Sequence, residues 1–386
     1  MVSGGFIGIG LILSTGCGKT ETASGEDAQQ VSAAVPTAWS MTRGGPDLSG
    51  RISAVVPKNP TLKWTFDAEE MVSAEAAIAH DRVYVGNEYG VLFAIDNQTG
   101  KQVWRFTTED AITAAPAVNE AALFLPSNDG NLYALDPDSG TGIWQYSTED
   151  KISSSPVLVN DPESGDAWVL VNGYDGSTRC LDAATGNIVW EYETQDFING
   201  SPAVVDGRYV VFGGCDAQLH VVNLADGSLV RMIPTDAQII NSIATRGAMA
   251  FCGNYANQAL GFDIAEGKVT WVYQDRNLPF YSSPGVSEDL LFIGSRDKHL
   301  HAIDQDSGMA AWKYRTGARV EGSPIVFDDA VVFGSDDGRI YALKLDSGEE
   351  IWKLDLGEGL SASPAFGYGN IVISGEDGTV FALGDS

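Results

Sequence analysis

Two histidines set two residues apart, His299 and His301 in "DKHLHAID", have the types and spacing for chemistry. Alternate residues on a strand share a face, so both imidazoles point the same way. Such a pair can bind a metal ion once a third ligand joins it. The sequence identifies no third ligand, so the expected reading is a pair of surface strand histidines. His220 falls where His301, Tyr133 and Tyr341 fall in the internal repeat described below, which points to packing. Of the four cysteines, Cys180, Cys215 and Cys252 lie in apolar or Gly-rich runs and read as small buried hydrophobes. A Cys215–Cys252 bridge is the alternative. No nucleophile–base pair stands out, and no Gly-rich loop follows a strand and opens a helix. The expectation is that no residue is catalytic, cofactor-binding or metal-binding.

Acidic residues are the second chemical feature. The 386 residues include 52 Asp and Glu against 23 Lys and Arg, a formal net charge of −29. Such a balance argues against a phosphate-tracking surface and against adhesion to anionic headgroups, both of which need clustered bases. The acids recur in register. One set comprises Glu69 and Glu70, Glu109 and Asp110, Glu149 and Asp150, Asp196, Asp236, Asp275 and Glu358. A second comprises Glu88, Asp129, Asp175, Asp216, Asp297, Asp336, Asp337 and Asp377, with Arg276, Lys298 and Arg319 as basic exceptions. One reading is that Asp and Glu form turns and are solvated. The sharper reading is an electronegative face, with Glu109, Asp110, Glu149, Asp150, Asp196, Asp236, Asp275 and Glu358 as candidate binding residues for a basic partner or a weakly held cation.

What positions these residues is a repeat. Large residues recur at Trp64, Trp104, Trp144, Trp190, Arg231, Trp271, Trp312 and Trp352, in steps of 40, 40, 46, 41, 40, 41 and 40. The long step holds an insertion, Val159–Trp168, with Asp-Pro and Ser-Gly turn signals. Each unit contains four short runs rich in Val, Ile, Phe and Tyr, bounded by Gly and Asp, which read as strands. Four antiparallel strands in about 40 residues is one propeller blade. Innermost strands start near Ala76, Pro116, Pro156, Pro202, Ala244, Pro284, Pro324 and Pro364, giving eight. The last unit, "GTVFALGDS", lacks a fourth strand, and the orphan "TLKWTF" precedes the first. The reading is an all-β, eight-bladed propeller with four antiparallel strands per blade. Its last blade is closed by the N-terminal strand, which removes the free seam of an open ring.

The repeated element is Ala-x-Asp-x-x-x-Gly-x-x-x-Trp, complete in Ala94–Trp104, Ala134–Trp144 and Ala302–Trp312. Cys180–Trp190 and Gly261–Trp271 start on another small residue; Ala342–Trp352 has Lys344 for the Asp, and Val221–Arg231 departs furthest. The Asp accepts turn amides, the Gly supplies a positive φ, and the Trp packs on the neighbouring blade. This motif resembles the tryptophan-docking motif of the pyrroloquinoline-quinone (PQQ) type propellers, over roughly Thr61 to Leu383. The lead-in "WSMTRGGPDLSG" looks like the segment that precedes many of them, BamB-like ones included.

The resemblance implies one of two functions, because one fold hosts both. Quinoprotein dehydrogenases hold PQQ and Ca²⁺ in the funnel; BamB-type lipoproteins are non-enzymatic and help assemble outer-membrane β-barrels by binding a partner. This chain is almost all repeat, has no Cys-Cys pair, and shows no identifiable Glu, Asn and Asp set for Ca²⁺. The expected function is therefore a non-catalytic scaffold that binds an envelope protein partner, as a monomer with no cofactor. A PQQ-dependent dehydrogenase, or a quinone- or Ca²⁺-binding relative, is the alternative.

The N-terminus, "MVSGGFIGIGLILSTGCGKT", resembles a secretory signal ending in a lipobox. Its apolar run from Phe6 to Leu13 is too short to span a bilayer. Cys17 is the residue expected to carry lipid, which implies export and an outer-membrane lipoprotein facing the periplasm. A plain cleaved signal and a short uncleaved anchor stay open. The expected organisation is residues 1–17 as signal and lipobox, 18–60 as flexible tether and lead-in, and 61–386 as propeller.

Overall fold

Short runs of β-branched and aromatic residues form strands because such side chains fit a pleated, half-buried surface. The computed structural model describes Met1, residues 38–239 and residues 241–385. The expected signal, Cys17 and most of the tether lie outside the described residues. Within them the runs form eight antiparallel four-stranded sheets. Blade 1 consists of Ala77–Ala79, Arg82–Gly86, Val91–Asp96 and Gln102–Thr107, from the innermost strand to the outermost. Blades 2 to 7 follow the same plan over 117–147, 157–193, 203–234, 244–273, 285–315 and 325–355. Blade 8 takes Ala365–Gly367, Asn370–Ser374 and Thr379–Asp385 from the carboxyl end, and Pro60–Asp67 as its outermost strand. That strand pairs from Pro60 opposite Asp385 to Asp67 opposite Thr379, with Trp64 opposite Ala382. The matched defects at the two ends of the repeat thus complete one sheet and close the ring.

The indoles hold the blades together. Each donates its N–H to a carbonyl in the third-to-fourth strand turn of the next blade: Trp64 to Asn97 at 2.8 Å, Trp104 to Pro137 at 3.1 Å, Trp190 to Leu224 at 2.8 Å. The turn glycine matters twice. Gly227 has φ +68°, and a Cβ there would lie 2.5 Å from Trp190 Cε3. Arg231, the odd copy, still docks, with Nη1 donating to the Ala265 carbonyl at 2.9 Å. At the last seam no such turn exists, because blade 8 borrows its fourth strand. The lead-in replaces it, and Trp352 donates to the Pro57 carbonyl at 2.8 Å.

Before reaching blade 8, the lead-in crosses the carboxyl ends of the innermost strands. The amides of Ile78, Val118, Val204, Thr245, Val286 and Val326 donate to the carbonyls of Trp39, Ser40, Pro46, Asp47, Ser49 and Gly50 at 2.7–2.8 Å. These are equivalent positions in blades 1, 2, 4, 5, 6 and 7. Edge strands of a channel leave such amides without a ladder partner, and the lead-in supplies one. Trp39 and Leu48 are fully buried in the process. Residues 39–57 are thus a plug in the propeller rather than a loose segment. Cys180, Cys215 and Cys252 are all free thiols, and burial pushes the Cys180 and Cys252 thiols far up.

Candidate functional site

The other end of the channel is built from two loop sets. In every blade the second-to-third strand turn donates one backbone N–H to the loop leading into the innermost strand. Tyr174 donates to Lys151, Cys215 to Phe197, Tyr255 to Gln238 and Asp336 to Arg319, at 2.9–3.0 Å. One bond per blade holds both loop sets on a single face and fixes their backbones.

The acids of this face divide into two kinds. The second residue of most turns is consumed locally. Asp129 accepts the Tyr133 hydroxyl at 2.8 Å and the Glu109 amide at 2.9 Å. Asp337 accepts the Tyr341 hydroxyl and the Gly317 amide, both at 2.7 Å. Burial pushes the Asp175 carboxyl up, but the Arg179 guanidinium 2.8 Å away holds it below the usual range. The loop acids are different. Glu109, Asp110, Glu149, Asp150, Asp196, Asp236 and Glu358 are all exposed. Asp110, Asp150 and Asp196 each accept the next residue's amide at 2.7–2.9 Å. Asp275 is tied to Lys313 Nζ at 2.9 Å.

His301 corrects the expectation, whereas His220 packs as expected. His301 is fully buried, not a surface residue. Its Nε2 lies 3.2 Å from Asp297 and its Nδ1 3.0 Å from the Tyr273 hydroxyl of the preceding blade. His220 repeats this between Asp216 at 2.7 Å and Tyr192 at 3.0 Å. The reason is positional: the third-strand residue four after the turn Asp points into the seam, where any donor serves. Tyr133, Arg179 and Tyr341 occupy the same place. Asp275, Asp297 and His301 bring ligand atoms within 4.8 Å of one another, a trio that spacing did not reveal. Its carboxylates already hold Lys313, His299 and His301.

Two further features were not read from the sequence. On one arc of the face, aromatics stand in the open. Phe197, Tyr255 and Leu278 are exposed by 44%, 48% and 41%. Phe197 stacks on Tyr174 with centroids 4.4 Å apart, and Lys151 lies 4.3 Å over the same ring. On the next arc charges dominate. Arg296 packs 3.9 Å over Tyr281 and bonds Glu321 at 2.5 Å, while Arg319 joins Glu321 at 3.4 Å and Asp336 at 2.8 Å. Burial raises the Asp336 carboxyl against the pull of Arg319, and Glu321 and Glu376 add to the rise. All of these vary at repeat positions whose backbone is constant. Aligning the units by turn would have exposed them.

Between the arcs and the plug lies a polar cavity of about 230 Å³. Its belt is the residue before the first strand's proline position in each blade. Six of the eight are serines: Ser155, Ser201, Ser242, Ser283, Ser323 and Ser363. Each of the six Oγ atoms accepts the belt amide of the preceding blade, at 2.8–3.2 Å. The remaining places are Ala115 and the buried Glu75, whose carboxylate accepts the Trp39 indole, the Thr42 hydroxyl and the Arg43 amide.

Closed ring, docked indoles and polar funnel define a propeller of the PQQ-like class. The family model described as outer membrane protein assembly factor BamB matches residues 48–174, 174–284 and 278–386, and the chain belongs to that family. No curated protein matches it in sequence. Among solved structures it is similar to BamB from Moraxella catarrhalis, at 19% identity and a TM-score of 0.70, over 84% of this chain and all of that one. It is also similar to the quinohemoprotein alcohol dehydrogenase from Comamonas testosteroni, at 14% identity and a TM-score of 0.75, over 90% of this chain and 80% of that one. The computationally designed Ika8 protein matches with a TM-score of 0.72 at 16% identity, over 83% of this chain and 98% of that one. Identities this low carry the fold and no activity.

Proposed function

We propose that the protein is a non-catalytic scaffold whose loop face docks an envelope protein partner during assembly of outer-membrane β-barrels. In this reading it is exported and held at the outer membrane through lipid on Cys17. The observation that carries the proposal is the loop face itself. Exposed aromatics stand beside exposed carboxylates on a backbone pinned once per blade. Aromatic anchors with a charged rim are what protein interfaces use, and the acids select a basic partner. Family membership supports the same direction. The PQQ-dependent dehydrogenase is the competing reading.

The test is photo-crosslinking in the native envelope from probes placed at Phe197 and Tyr255, with partner binding then followed across a salt series. A β-barrel assembly component is the expected product, with affinity falling as salt rises. Crosslinks confined to other proteins, or none, would overturn the role. Stoichiometric PQQ uptake in the presence of Ca²⁺ with dye-linked alcohol oxidation would replace it with the dehydrogenase.

A further inference from the structure

The plug takes an amide from the innermost strands of blades 1, 2, 4, 5, 6 and 7, but among the described residues none from blades 3 and 8. In blade 8 the strand turns back at once, with Gly367 opposite Asn370. In blade 3 it runs on. Val157–Asn160 is the longest innermost strand, because the insertion carries it and its neighbour, Ala167–Asn172, past the point where other blades turn. The two pair without a bulge, from Val157 opposite Leu170 to Asn160 opposite Ala167. The Asp161 amide then closes the turn on the Asp166 carbonyl at 2.8 Å. In an antiparallel pair, bonded residues alternate with residues whose backbone groups face the other way. Asp161 fixes the phase: Val157 and Val159 bond the second strand, and Leu158 and Asn160 face away from it. Leu158 holds the place of Ile78, Val118 and Val204, whose amides the plug takes. No described residue bonds the outward amide or carbonyl of Leu158 or Asn160.

This edge lacks the usual protection. Leu158 and Val159 are half-buried and Asn160 is exposed. Natural sheets blunt such edges with Lys, Pro or a bulge, because unpaired backbone groups recruit another strand. None of these is present in Leu158–Asn160. The edge borders a groove of about 310 Å³ whose walls include Pro46, Leu158, Val159, Ala167, Val204 and Leu224. No lining residue is charged. Beyond Asn160, the turn Asp161–Asp166 carries three carboxylates, Asp161, Glu163 and Asp166, and no base.

We propose that the edge Leu158–Asn160 binds an extended basic peptide of a partner, which joins blade 3 as a fifth strand. Backbone bonds to Leu158 and Asn160 supply the affinity, and alternate side chains supply the choice. One face of the added strand lays apolar residues into the groove, and Lys or Arg beyond it meets the acidic turn. A net charge of −29 repels an acidic segment and disfavours a second copy of this chain. The edge lies at the plugged end, so its failure would leave the loop-face docking proposal standing.

The experiment is fluorescence titration of the full chain into a labelled peptide of alternating Lys and Val, with amide hydrogen exchange read alongside. Saturable binding that weakens with salt is expected, with protection of the Leu158 and Asn160 amides. The same peptide N-methylated at alternate residues keeps its charge but cannot pair, so it should bind at least ~10-fold more weakly. N160P removes an amide that no described residue uses, and proline is tolerated at a sheet edge. It should weaken binding ~3–10-fold, the worth of one hydrogen bond. E163K alters only the exposed turn and should weaken binding several-fold at low salt alone. No saturable binding, equal binding of the N-methylated peptide, or undiminished binding in both variants would overturn the proposal. Protection of both amides in the free protein would overturn it too. If that protection persists on dilution the edge belongs to residues 2–37, and if it vanishes, to a second copy.

Discussion

At the plugged end of the channel, six innermost strands hand an amide to the lead-in, whose Trp39, Leu48, Ile52 and Val56 are buried. At the loop end, the backbone is equally well bonded, yet rings and carboxylates remain exposed. The two ends share one repeat and differ in what is left over. Where polar groups find partners within the chain the residues serve stability. Where they do not, the surface is available to something else, and rigidity of the backbone is what allows a loose inventory of side chains there.

Breaking the plug should give the largest effect. Trp39 is fully buried, bridges Ile78 in both directions and donates to Glu75. W39A should cost ~3–5 kcal/mol in denaturant unfolding, the range for large-to-small changes in a packed core. A cost below ~1 kcal/mol would mean that the plug is not part of the folded unit.

The loop-end acids sharpen the comparison through opposite signs. Asp175 has a carboxyl held low by Arg179. Its contribution is full above the ordinary carboxylate value near ~4 and is lost as pH falls through its lowered value. D175N should therefore cost ~1–3 kcal/mol at neutral pH and progressively less in acid. Asp336 has a raised carboxyl. Its ionised form is penalised in the fold, so its contribution is full below ~4 and is lost as pH rises through the raised value. D336N should gain up to ~1 kcal/mol at pH 7 and nothing near pH 4. Tm measured against pH for both variants checks this, and parallel curves would refute it.

The smallest effect on stability belongs to the open aromatics. F197S and Y255S should each move unfolding by less than ~0.5 kcal/mol, as surface changes do. They should nonetheless weaken partner crosslinking several-fold, since exposed aromatics are the usual anchors of an interface. A change in stability without a change in crosslinking would assign these rings to the fold.

Much of the architecture was legible before any coordinates. Alternating apolar runs, turn glycines and one indole per unit specify strands, blades and seams because all of these act between residues that are close in sequence or one repeat apart. Even Arg231 betrayed itself by spacing, although only the structure shows its guanidinium reaching the carbonyl of Ala265. The candidate site was legible in part. The acid pattern located the loop face, but the pattern does not distinguish Asp129, locked to Tyr133, from Glu109, whose side chain faces solvent. His301 read as a surface residue because a third-strand position alternates in and out of the sheet, while the seam between blades buries its outward side as well.

The sequence by itself determined the number of blades, their order and the strand exchange that closes them, because each follows from periodicity. Tertiary structure alone decided where the lead-in goes and what it meets. Arg43 and Pro324 are 281 residues apart, and no local pattern links them. Only closure of the ring gathers one residue from each blade around a common axis, and only that convergence turns scattered serines into the lining of one polar cavity.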